Sequence, residues 1–105
     1  MMWSQSLRDY VGAARRDELR ARLRAVEAQV GAAADRAEAI VETIADLRRV
    51  ATDGTEAQRD AATDLLLTTR DDLDAVQGKL NKLRREQVEI RGLLHAIEVV
   101  GRAIE

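Results

Sequence analysis

Apolar residues recur in alternating steps of four and three along most of this chain, and a single short string interrupts them. In the first half the series is Leu19, Leu23, Val26, Val30, Ala33, Ala37, Ile40, Ile44, Leu47 and Ala51. In the second half it is Ala62, Leu66, Thr69, Leu73, Val76, Leu80, Leu83, Gln87, Ile90, Leu94, Ile97, Gly101 and Ile104. Only Thr69, Gln87 and Gly101 depart from apolar character. A period of 3.5 residues keeps one stripe facing a partner only when helices supercoil, so the pattern predicts a coiled coil. The absence of proline and of phenylalanine, with Trp3 and Tyr10 the only other large aromatics, makes the chain a poor candidate for a β-sandwich or barrel. Apolar residues are 46% of the chain, which is enough to fold and excludes a disordered tail.

The interruption is Thr52-Asp53-Gly54-Thr55. Gly54 is expected to end the first helix in a left-handed conformation. Thr55 and Gln58 have the spacing of a capping box, in which each side chain satisfies the other's backbone amide. Ser6, or Ser4, is expected to cap the first helix. The reading is a single helical hairpin over residues 1–105, with helices at about 6–52 and 55–103 and a turn at 52–55. Each helix would be roughly 70 Å long at ~1.5 Å per residue. So short a connection makes the helices antiparallel neighbours. With the turn centred on Asp53-Gly54, residues whose numbers add to about 107 should lie level. Leu23 would then face Leu83 and Arg84, and Ala33 would face Leu73 and Asp74. Gln87, a lone polar residue in the apolar stripe, has the placement of a register-setting residue.

One shared stripe buries little for so many residues. Further apolar residues flank it: Val41, Ala45, Val50, Leu65, Leu93 and Val100. They widen the apolar face toward that of a bundle and mark a candidate oligomer interface. The expected fold is therefore all-α: an antiparallel two-helix hairpin that completes a four-helix or larger bundle by oligomerisation. Before Leu19 the phase changes, with Leu7, Val11 and Ala14 apolar but Gly12 and Arg16 on the extrapolated stripe. Trp3 reads as a packing anchor at the tip.

Converging chemistry is sparse. Cysteine is absent, which excludes disulfides and thiolate metal sites. His95 is the only histidine, and the residue three before it is Gly92, where a bundle metal site would want Glu. Glu86-x-x-Glu89 is one carboxylate pair of the kind that holds Mg²⁺, but Glu38 and Glu42, four apart, make a poor second. There is no phosphate loop, nucleophile elbow or Ser/His/Asp set. The chain is expected to be non-enzymatic, with no cofactor, metal or small-molecule substrate. Its apolar runs, such as Leu65-Leu66-Leu67, are far short of the ~20 residues that cross a bilayer. A cytoplasmic setting is the default expectation, or a virion if the chain is phage-encoded.

Charge is banded along the chain. Residues 1–24 carry +3, 25–57 carry −4, 58–78 carry −3, 79–91 carry +3 and 92–105 carry −1, giving the net −2. The two basic stretches are expected side by side in the hairpin. That polarity would steer a second copy to lie antiparallel, acidic half on basic half. The alternative is a small nucleic-acid-associated regulator that contacts phosphate through Arg15, Arg16, Arg22, Lys82, Arg84 and Arg85. Interspersed acids and the lack of nearby rings for base stacking favour assembly, with itself or another helical protein. Alanine- and arginine-rich, lysine-poor composition points to a GC-rich bacterial or phage source; the assembly expected is a structural part of a larger complex, such as a phage particle. In length and two-helix shape the chain resembles the small secreted Trp-x-Gly hairpins. Their turn motif is replaced here by Thr52-Asp53-Gly54-Thr55, and their C-terminal Tyr-x-x-x-Asp/Glu signal is missing, so the likeness is one of shape.

Overall fold

A computed structural model describes the backbone of residues 2–104 and the side chains of residues 12–102. It contains two helices, α1 (Met2–Asp53) and α2 (Glu56–Ile104), joined by Gly54 and Thr55 as an antiparallel hairpin. Among the described residues there is no strand. The expected start of α1 near residue 6 is corrected: the helix already runs through Ser4 and Ser6, so neither caps it. No glycine or proline precedes Gly12, so nothing in the first eleven residues stops the helix from extending. The other bounds shift by one residue, from 52 to Asp53, 55 to Glu56 and 103 to Ile104. Trp3, Leu7, Val11 and Ile104 lie outside the described side chains.

The turn is a capping box in full. Thr55 Oγ1 accepts from the Gln58 amide at 3.3 Å, and the Thr55 amide donates to Gln58 Oε1 at 2.9 Å. The Thr55 carbonyl accepts the first bond of α2, from the Arg59 amide at 2.8 Å. Glu56, in the first turn of α2, adds a charge favourable to that helix end. The role expected of Gly54 is corrected. It does not have a positive φ, and its amide donates to the Val50 carbonyl at 2.9 Å, which continues the α1 ladder by one bond. Glycine is needed for space instead. A Cβ at Gly54 would sit 2.6 Å from the Val50 carbonyl oxygen and 3.0 Å from Gln58 Cβ. The capping Gln58 thus folds over a position that has room for hydrogen only.

Two compact units are built on the helices. The open-end unit comprises Met1–Gln29 and Leu83–Glu105, and the turn unit comprises Val30–Lys82. In the open-end unit Leu19, Val26, Leu83 and Ile90 are buried, Leu19 and Ile90 to 1% exposure, while Leu23, Gln87, Leu94 and Ile97 are half-buried. In the turn unit Ala33, Ile44, Ala62, Leu66 and Leu80 are buried, and Val30, Ala37, Ile40, Leu47, Ala51, Thr69, Leu73 and Val76 are half-buried. Thr69 is tolerated in this stripe because its hydroxyl donates to the Leu65 carbonyl at 2.7 Å. Gly101 is exposed. No polar or charged side chain is buried among the described residues.

Two interhelix ion pairs fix the register of the open-end unit. Arg22 meets Glu86 and Arg91 meets Glu27, both at 3.4 Å. Their residue numbers add to 108 and 118, so facing side chains centre near 113 instead of the expected 107. Helical side chains lean toward the N-terminus of their own helix. In an antiparallel pair the two leans are opposed, so side chains that meet come from residues beyond the level Cα atoms. On the mean of the two ion pairs, Leu23 would be matched with Ile90 and Leu19 with Leu94. The two basic stretches meet where Arg22 pairs with Glu86, next to Arg85, as expected.

Two outcomes follow for this fold. Gly54→Ala must displace a backbone carbonyl, and chemical denaturation should show a loss of about 1–3 kcal/mol. Gly54→Asn should cost at least as much, whereas asparagine would be well tolerated if the position needed a left-handed backbone. For the register, a Leu23→Cys/Ile90→Cys chain should oxidise to an internal disulfide faster than Leu23→Cys/Leu83→Cys, as read by non-reducing electrophoresis of dilute protein. The reverse order would restore the lower register.

Candidate functional site

The flanks of the helices carry the features on which function can be built. The residues expected to form an oligomer interface, Val41, Ala45, Val50, Leu65, Leu93 and Val100, are all exposed. Among them Leu65 is 55% exposed. Three further large apolar residues are exposed as well: Leu67 at 62%, Val88 at 69% and Val99. The sequence carried a signal for each, since every one adjoins a residue already singled out: Leu66, Gln87 and Val100.

The six cations considered for phosphate contact are not gathered into one face. Arg15 is paired with Glu18 at 3.2 Å and Arg22 with Glu86, so two of them already have a carboxylate. Arg16, Lys82, Arg84 and Arg85 are exposed. Lys82 belongs to the turn unit and the rest to the open-end unit.

What the open-end unit does bring together is a different set. Arg16, Arg20, Arg91, Leu94, His95 and Glu98 line an open groove of about 390 Å³. Arg16 and Arg20 are one turn apart on α1, and Arg91 and His95 are one turn apart on α2. The corrected register places the two pairs level. Leu94, half-buried, forms its apolar lining. Glu98 bonds to Arg102, and Arg91 shares Glu27 at 3.4 Å. Three arginines therefore line the groove, Arg91 held by Glu27, beside the carboxylate of Glu98, which Arg102 engages. Like charges one helical turn apart destabilise a helix, so an arrangement like this favours a bound anion.

His95 is exposed, with Arg91 and Glu98 as fellow lining residues. Glu86 is half-buried and bonded to Arg22, while Glu89 is exposed. Among the described residues, no three side chains of His, Cys, Asp or Glu gather as metal ligands would. No helix, among the described residues, is long and apolar enough to cross a membrane.

Charge divides sharply between the units. The open-end unit contains ten arginines and eight acids, for +2, and the turn unit seven bases and eleven acids, for −4, together the chain's −2. Comparison with known proteins finds no family model, no curated protein and no solved structure that matches this chain.

Proposed function

We infer that this is a non-catalytic structural protein that works by assembling, through its helix flanks, with further copies or as a subunit of a larger complex. The observation that carries this reading is the large apolar side chains left outside the stripe. Each unit exposes four of them: Val41, Val50, Leu65 and Leu67 in the turn unit, and Val88, Leu93, Val99 and Val100 in the open-end unit. Exposed apolar surface that a chain does not cover itself marks interaction sites. A cytoplasmic setting, or the interior of a virion, suits a part that gains its stability from neighbours.

A nucleic-acid role is less well supported, because acids occupy Arg15 and Arg22 and no described residue is Phe, Tyr or Trp. For the same reason the reading assigns neither substrate nor cofactor to the groove.

Sedimentation equilibrium at micromolar concentration tests the assembly. A dimer or larger species is expected. Leu65→Glu with Leu93→Glu should weaken it by about tenfold or more, since each buried leucine is worth ~1.5–3 kcal/mol. Helix content by circular dichroism should be unchanged, both residues being exposed. A monomer for the parent chain would falsify the reading.

A further inference from the structure

The two units carry opposite charge, and each has an exposed patch of matching character. In the open-end unit the patch is the groove of Arg16, Arg20, Arg91 and His95, with Val88 exposed two turns before His95 on α2. It lies on the flank where Glu27 meets Arg91, the side taken by residues that directly follow a stripe residue.

In the turn unit, the same helical rotation selects another set. Glu38 and Val41 directly follow Ala37 and Ile40 on α1, and Leu67 and Asp74 directly follow Leu66 and Leu73 on α2. All four are exposed, Val41 to 52% and Leu67 to 62%. That flank therefore presents two large apolar side chains bordered by two carboxylates.

We propose that the groove of the open-end unit is a socket for this acidic, apolar flank of the turn unit of a second copy. This inference rests on the assembly reading above and names its contact. The guanidinium groups of Arg16 and Arg20 receive Glu38 and Asp74 of the second chain while Arg91 keeps Glu27, and Val88 is covered by its Val41 and Leu67. Arginine forks bind carboxylates through two parallel hydrogen bonds, which suits two arginines one turn apart on the groove wall. Where two copies make the contact reciprocally, each contact joins a unit of +2 to one of −4, and the net charge of −2 per chain is no obstacle when the units are so divided.

The test uses two charge-reversed full-length chains. One carries Arg16→Glu and Arg20→Glu, and the other carries Glu38→Arg and Asp74→Arg. Each alone should self-associate at least about tenfold more weakly than the parent, because both of its contacts set like charges together. Mixed in equal amounts, they should form a heterodimer at near-parental affinity, since one contact is native and the other is reversed on both sides. Raised salt should weaken the parental dimer and the heterodimer alike. The milder Arg20→Gln and Asp74→Asn chains should give smaller losses in the same direction, which guards against misfolding of a reversed chain. Parental dimerisation that is indifferent to all four substitutions, or variants that do not recover on mixing, would remove the socket while leaving self-assembly intact. A monomeric parent would remove both.

Discussion

A helix pair has one line of mutual contact, and everything else about this chain follows from that restriction. Each helix can turn about two residues in seven toward the other, and the rest must face outward. The residues that α1 and α2 cover are those spaced by four and three, Leu19 through Ile44 and Ala62 through Ile90. Buried side chains do not include a single polar one among the described residues. Specificity therefore cannot come from hydrogen bonding inside the stripe and has to be set at its edges. Arg22 with Glu86 on one edge and Glu27 with Arg91 on the other do this. Their side chains remain 40–59% exposed, so each pair contributes no more than about 1 kcal/mol. They act by selecting one alignment among neighbours that the apolar stripe alone would accept.

The hinge of the hairpin illustrates the same economy of parts. Thr55 and Gln58 satisfy each other's amides, and Gly54 leaves the room into which Gln58 folds. Three residues thereby end one helix and begin the next. Exposed threonines elsewhere, Thr43, Thr52 and Thr63, return their hydroxyls to carbonyls four residues earlier and so cost the helices little. With the helices continuous on either side, the turn has no slack, and the alignment of the strip depends on where Gly54 falls.

Much of this was legible in the residues. Periodicity identified both helices, and Thr55 with Gln58 located the break to within one residue, because these signals act over short distances along the chain. The errors lay in matters that depend on three dimensions. The conformation of Gly54 was misjudged because a glycine after a helix serves either a left-handed turn or close packing, and the sequence does not distinguish them. The alignment was placed low, at 107 against a mean of 113 for the two ion pairs, and the opposed lean of side chains, about one residue on each helix, accounts for part of that. Arg84 and Arg85 do lie next to Glu86, the partner of Arg22; the groove was missed because Arg16, Arg20, Arg91 and His95 are scattered along the sequence. The start of α1 was set too late because serines cap helices often but do not prevent them from continuing.

Outward residues answer to different pressures from those in the stripe, and this separates ornament from function. A helix that needs only water on its outer face has no use for Leu67 or Val88, and glycine is costly there relative to alanine. Gly31, Gly78 and Gly92 nevertheless occupy outward positions with nothing within 4 Å of an added Cβ, so no contact within the chain calls for them. Leucines, valines and arginine clusters that the chain itself does not use are likewise unexplained by its own stability. A neighbour seated on the flanks would account for the apolar and cationic residues together, because one desolvates the surface and the other fixes the orientation of what lands there.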